Sequence, residues 1–174
     1  MEITTLGAGC FWCIEAVLQR LKGVEKIASG YAGGRVPGRP TYREICSGLT
    51  GHAEVVQVTF DPTVINYKDL ITVFMTSHDP TQLNRQGADV GTQYRSVVFY
   101  HSEKQMNDTI ELFTELKNTF PRPIVTELSP IPEFFEAESD HQDFYNSNPE
   151  MGYCRVVIDP KIAKLRIQHA EKLK

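Results

Sequence analysis

The sequence predicts an α+β fold, a two-layer ferredoxin-like plait in which helices pack on one mixed sheet and long loops separate some of the elements. Three observations lead there. Stretches of period two alternate with stretches of helical period, two of the helical stretches open on recognisable caps, and several connections are Gly- and Pro-rich and too long for tight turns. The chain's 174 residues are the size of one domain, and 41% hydrophobic with 23% charged residues is the composition of a folded globular protein. The expected organisation is therefore a single domain over residues 1–174, with a partly mobile C-terminal segment around 145–155.

Ile3 to Leu6 reads as a short strand, which Gly7-Ala8-Gly9 breaks before Ile14, Val17, Leu18 and Leu21 mark one face of a helix. Cys10 falls at that strand-to-helix junction. Val24 to Tyr31 reads as a second strand, followed by a surface loop built on Gly33-Gly34, Pro37-Gly38 and Pro40. From Glu54 to Phe60, Val56, Val58 and Phe60 alternate with Gln57 and Thr59, the period of a half-buried strand, and Glu54 lies on the apolar face. Asn66 caps a helix through Leu70, Ile71 and Phe74, and Ser102 with Gln105 makes a capping box for a helix carrying Met106, Ile110, Phe113 and Leu116. The polar, Gly-containing stretch from His78 to Tyr94 is long enough to mark a functional loop, and a strand from Ser96 to Tyr100 follows it. Ile124 to Leu128 and Arg155 to Ile158 complete the strands, with a Pro-rich connection (Pro121, Pro123, Pro130, Pro132) and a last helix after Pro160.

Charge and hydropathy narrow the function classes. Against 22 Asp and Glu stand 18 Lys and Arg, a formal net charge of −4 without the basic stripe that a phosphate backbone would need. No apolar run approaches the roughly 20 residues that cross a bilayer, and Met1-Glu2-Ile3 leads directly into structure. A soluble, cytoplasmic protein is expected, monomeric by default, without nucleic acid or membrane as partner. Four cysteines with no export signal point to reactive or buried thiols and away from a disulfide framework.

Gly7-Ala8-Gly9-Cys10-Phe11-Trp12-Cys13-Ile14-Glu15 places small residues directly before a cysteine at the start of a helix. Little crowds an incoming substrate there, and unpaired N–H groups at a helix start favour a thiolate, so Cys10 is the candidate nucleophile. The bland alternative is a small buried cysteine, which the flanking glycines weigh against. Phe11 and the only tryptophan, Trp12, are candidates to hold an apolar group beside it. Glu54, at the inward end of its strand, would be desolvated and protonated near neutrality and so able to donate a proton. Pattern alone leaves equally open an exposed glutamate paired with a base.

The segments GCFWCIE, GYAGG, PTYREICSGLTGHAE, HDPTQLNRQGADVGTQYRS and NPEMGYC occur in this order. With them the sequence resembles the A-type methionine sulfoxide reductases, from about residue 7 to about residue 160. The resemblance implies that Cys10 is the nucleophile, that Phe11 and Trp12 receive the substrate's methyl group, and that Glu54 is the proton donor. It further implies that Tyr42 and Tyr94 hydrogen-bond the sulfoxide oxygen and that Asp89 is a supporting polar residue of the pocket. The implied chemistry is reduction of the S epimer of methionine sulfoxide, free and in peptides, through a Cys10 sulfenic acid and a disulfide that thioredoxin reopens, with no metal or organic cofactor.

The partner that closes this disulfide stays open between two thiols. Cys154, in a Gly-containing and polar C-terminal stretch, matches a position where many members of that family carry a resolving thiol. Cys13 stands where glycine is common in the family and creates a Cys-x-x-Cys spacing. Cys46 is expected to be buried and inert. The histidines read as hydrogen-bonded scaffold. Two other function classes are weaker: a zinc site lacks a second Cys-x-x-Cys, and a general protein-disulfide reductase leaves Glu54 and the tyrosines without a role.

Overall fold

The computed structural model describes residues 1–174. Its strands and helices run β1 (Glu2–Gly7), α1 (Phe11–Leu18), β2 (Val24–Ala32), α2 (Tyr42–Cys46), β3 (Ala53–Phe60), α3 (Tyr67–Thr76), β4 (Arg85–Gln86), β5 (Asp89–Val90), β6 (Val97–Tyr100), α4 (Glu103–Leu116), β7 (Glu127–Pro130), β8 (Phe134–Glu136), α5 (Phe144–Ser147) and α6 (Asp159–Gln168). A π-helix, Cys154–Ile158, leads directly into α6. Six strands form one sheet in the order β7-β6-β1-β3-β2-β8, antiparallel except for the β6–β7 pair, so the sheet is mixed and the fold is α+β as expected. The short β4–β5 hairpin stands apart and lies inside the long polar stretch that the sequence marked as a functional loop.

Alternation along the strands divides the interior into two clusters. Leu6, Val56, Val58, Phe60 and Val98 point to the face where Ile14, Val17 and Leu18 of α1 and Leu70, Ile71 and Phe74 of α3 pack. Ala53, Val55, Val97 and Phe99 point the other way and form a smaller cluster with Ala32, closed over by Ile131 and Phe134. Because successive strand residues face opposite sides, burial of both faces is what makes β3 apolar at Val55 as well as at Val56.

The caps explain the helix starts. The Asn66 side chain accepts from the Asp69 N–H at 2.8 Å, and Ser102 accepts from Gln105 N–H at 3.2 Å. The expected box at Ser102 is only half formed, because Gln105 accepts from the His101 N–H and donates to the carbonyl of Ile3, tying α4 to β1. A complete box stands at Thr41 and Glu44 and starts α2, an element too short to show a helical period in the sequence.

Three expectations are corrected. Arg155 to Ile158 is not a strand: its β-branched run sits in the π-helix, which buries Cys154 and Ile158 four residues apart and turns Val156 to solvent. The strand expected at Ile124 to Leu128 starts later, at Glu127, where it pairs in parallel with β6. Cys46 is exposed, because α2 buries only Ile45 and the next residue faces out.

Candidate active site

The turn between β1 and α1 sets the Cys10 sulfur. Gly9 has φ +72, and a Cβ there would lie 2.9 Å from the Cβ of Gln86 in β4, so glycine is required both by conformation and by the close approach of the hairpin. Its N–H donates to the carbonyl of Tyr94 at 3.1 Å, which ties the turn to the far end of the same polar loop. Cys10 is then the N-cap of α1, in extended conformation, and 7% exposed.

Burial decides the charge on Cys10. It pushes the thiol well above its usual value, and the neighbouring Cys13 and Glu54 push the same way, while the Trp12 N–H at the helix start pulls against them and loses. The helix start therefore does not hold Cys10 as a free thiolate in this structure, contrary to the expectation from its position alone. Cys13, one turn along α1, is lowered chiefly by the neighbouring Cys10 and further by the charge of Lys161, against its burial. Its Sγ lies 3.4 Å from the Tyr153 oxygen, which in turn donates to Oδ2 of Asp89 at 3.1 Å. Both sulfurs line one cavity of about 120 Å³, with Asp89, Tyr153 and Lys161 among its walls.

The Glu54 carboxyl group, on β3, is 1% exposed, and burial raises its pKa to about 8. Its Oε1 accepts the backbone N–H of Phe11 at 3.2 Å, and its Oε2 has no partner in the protein. Of the two readings left open for this residue, the structure has the buried one, which favours the protonated carboxyl group. Charge on Glu54 is felt by both Tyr42 and Tyr94, whose hydroxyls are raised chiefly by burial. Only the Cys46 thiol stands beside the Tyr42 hydroxyl, and no hydrogen bond engages the hydroxyl of Tyr94. Cys10, Glu54, Tyr42, Tyr94 and Asp89 thus gather at one end of the sheet, from five separate stretches of chain.

Phe11 and Trp12 join an aromatic wall larger than the sequence foretold. Phe11 is fully buried against Tyr31 (centroids 5.7 Å apart) and stacks on Tyr42 at 6.3 Å, and the Trp12 indole lies 3.7 Å from the Phe144 ring with planes 6° apart. His141 lies 4.1 Å from the Tyr42 ring and accepts the Trp12 indole N–H at 3.2 Å. The Glu138 carboxylate accepts the Tyr31 hydroxyl at 3.1 Å and the Tyr42 N–H at 3.0 Å. None of Glu138, His141, Phe144 or Tyr153 was singled out from the sequence. The one available signal was the density of aromatic and titratable residues in ESDHQDFY, a stretch without periodicity.

The two candidate partners for Cys10 sit differently. Cys13 shares its cavity, whereas Cys154 is fully buried in the core within the π-helix and is not among the cavity walls. No set of three or more His, Cys, Asp or Glu side chains converges to hold a metal ion, and no helix is long and apolar enough to cross a membrane.

A buried thiol with a carboxyl group of raised pKa near it and a second sulfur one helical turn away suits thiol-based redox chemistry, and that sets the class. Within it, the chain belongs to the peptide methionine sulfoxide reductase family, whose model matches residues 2–173. It is 50% identical over 174 residues to the peptide methionine sulfoxide reductase MsrA of Saccharolobus solfataricus, across 100% of this chain and 98% of that one. To the MsrA of Deinococcus radiodurans it is 53% identical over 175 residues, across 99% and 84%. The fold is similar to that of Mxr1 from Saccharomyces cerevisiae in reduced form, with a TM-score of 0.84 and 35% identity over 88% of each chain. It also matches Mxr1 in complex with Trx2, with a TM-score of 0.59 and 25% identity over 82% of this chain and 84% of that one.

Proposed function

We propose that the chain is an oxidoreductase that reduces methionine (S)-sulfoxide, free and in oxidised proteins, with Cys10 as nucleophile and thioredoxin as final reductant. The observation that carries the reading is the Glu54 carboxyl group, protonated near neutrality, gripped at one oxygen by the N–H of Phe11 and free at the other. A sulfoxide needs a proton on its oxygen before that oxygen can leave sulfur. Family membership supplies the substrate class.

The Cys10 sulfur attacks the sulfoxide sulfur while Glu54 delivers its proton to the oxygen and the hydroxyls of Tyr42 and Tyr94 stabilise the charge developing there. The proton that Cys10 gives up as it attacks restores the one that Glu54 delivers, so thiol and sulfoxide become sulfenic acid and sulfide. Oxygen passes to Cys10, methionine departs, and Cys10 is left as a sulfenic acid. Phe11 and Trp12, backed by His141 and Phe144, hold the methyl group and keep water from the reacting sulfur.

Cys13 then attacks the sulfenic sulfur, water leaves, and a Cys10–Cys13 disulfide forms. Their shared cavity supports this order over direct closure by Cys154. In this reading Cys154 takes over that disulfide by a movement of the π-helix that it begins. Such irregular turns concentrate at functional sites, and we assign the motion of the segment around 145–155 to this step. A dithiol reductant finally restores both thiols by exchange. The yeast relative solved with Trx2 supports thioredoxin in that role.

The strand order β6-β1-β3-β2, antiparallel throughout, supports reading the centre of the fold as a ferredoxin-like plait with β7 and β8 added at its edges. A single core that draws side chains from β1 through α6 supports one domain over residues 1–174.

The test is single-turnover reduction of a peptide carrying separated sulfoxide epimers, scoring methionine formed and thiols lost. Wild type should convert only the S epimer, and Cys10→Ser should convert neither. Cys13→Ser should accumulate sulfenic acid, and Cys154→Ser should still lose two thiols per methionine. Methionine formation by Cys10→Ser would overturn the mechanism, and normal thiol loss in Cys13→Ser would make Cys154 the first partner.

A further inference from the structure

Residues Glu138 to Phe144 run as a strap along the outside of the aromatic wall, and three of its side chains, Glu138, His141 and Phe144, touch the site. Glu138 holds Tyr31 and the N–H of Tyr42, and His141 holds the indole of Trp12. Gln142 bonds both the N–H and the carbonyl of Ser29 at 2.8 Å, extending the edge of β2 beyond the last β8 pair. Phe144 lies flat on Trp12 at 3.7 Å.

The far end of the strap is pinned by a residue of the nucleophile's own helix. Glu15 is 2% exposed; its Oε2 accepts the N–H of Asp143 at 3.0 Å and its Oε1 the N–H of Phe144 at 3.2 Å. Asp143 has φ +51, a left-handed conformation that persists in non-glycine residues where neighbours hold it. Trp12 and Glu15 are three residues apart and so share one helical face. One short helix thus carries the wall residue and the carboxylate that presses a second ring against it.

We infer that Glu15 is a positioning residue for substrate binding: by holding Asp143 and Phe144 it fixes Phe144 on Trp12, and so sets the pocket wall that receives the sulfoxide's methyl group. The inference rests on the proposed role of Trp12 in that pocket. Glu15 touches no reacting atom, so its loss should weaken binding and spare the chemical step.

Trp12 is the only tryptophan, so its emission reports on the wall directly. Glu15→Gln keeps the shape but turns an amide nitrogen toward one of the two backbone N–H groups. With N-acetyl methionine (S)-sulfoxide as probe, KM should rise about tenfold, the scale of one lost aromatic stack, with kcat within about threefold and a red-shifted Trp12 emission. Phe144→Leu leaves the Glu15 hydrogen bonds intact and should show the same KM rise and emission shift. If Glu15→Gln does not fold, this second variant decides alone. A wild-type KM and emission in a folded Glu15→Gln, or in Phe144→Leu, overturns the inference. An inactive wild type, or an active Cys10→Ser, would instead overturn the reaction assigned to the site.

Discussion

The backbone N–H of Phe11 donates to Oε1 of Glu54 at 3.2 Å, so the residue that follows Cys10 holds the Glu54 carboxyl group. The bond lowers the Glu54 pKa, yet burial outweighs it and leaves the group near 8. The same contact therefore orients the acid without ionising it.

Activity should follow that proton. Under single turnover with saturating sulfoxide, the rate of methionine formation is expected to fall as pH rises through about 8, where Glu54 loses the proton it must donate. Glu54→Gln should lower the rate by about 10² to 10⁴, the usual contribution of a positioned acid, and remove this alkaline limb. A limb that survives in Glu54→Gln would assign the acid to another group.

Stability should respond with a definite sign. The folded pKa of Glu54 is raised above the ordinary 4.5, so the folded state keeps a proton that the unfolded chain gives up between pH 4.5 and about 8. Whatever Glu54 contributes is fully present below 4.5 and is lost as pH rises through 8, a penalty of the order of 5 kcal/mol from a shift of this size. Glu54→Gln removes the charge while its amide oxygen can still accept from Phe11. Thermal melts should show the variant gaining stability relative to wild type between pH 5 and pH 8, and a constant difference would mean that Glu54 does not ionise in the folded protein.

The sequence disclosed the site unevenly, for physical reasons. Cys10 and Glu54 stood out through their place in the local pattern, Tyr42, Tyr94 and Asp89 only through the family resemblance, and the helices capped by Asn66 and Ser102 through spacing. The charge on Cys10 did not, because it depends on how deeply the sulfur is buried and on Cys13 and Glu54 beside it, which no local pattern encodes. The π-helix was misread because Val156, Val157 and Ile158 have the side chains of a strand, and only packing across the core chooses between the two forms. His141 and Phe144 were passed over because a strap without periodicity is defined by what it touches.

The two tyrosine hydroxyls should matter to rate and hardly at all to stability. The Tyr94 hydroxyl makes no hydrogen bond in the protein and the Tyr42 hydroxyl has only the Cys46 thiol beside it, so removing either oxygen sacrifices little in the resting fold. Tyr42→Phe and Tyr94→Phe should each slow methionine formation by about tenfold to a hundredfold, with melting free energies within about 0.5 kcal/mol of wild type. Loss of both should cost more than either alone. Wild-type rates in both single variants would remove the tyrosines from the reaction.

Gly9 offers a test of how the turn is built, because two separate demands fall on it. Its φ of +72 costs an L-residue about 1–2 kcal/mol, and a Cβ would also press to 2.9 Å from the Gln86 Cβ. Gly38 makes the first demand alone: its φ is +80 and nothing lies within 4 Å of an added Cβ. Gly38→Ala should therefore lose only the conformational amount and keep full activity. Gly9→Ala should lose that amount and more, and should also slow the reaction, since displacing the β4–β5 hairpin moves Asp89 in the cavity wall and strains the Gly9 N–H bond to Tyr94. Denaturant melts and single-turnover rates measured side by side separate the two demands. Equal losses in the two variants, with activity retained in both, would show that the hairpin yields freely and that the close approach at Gly9 does not hold the site.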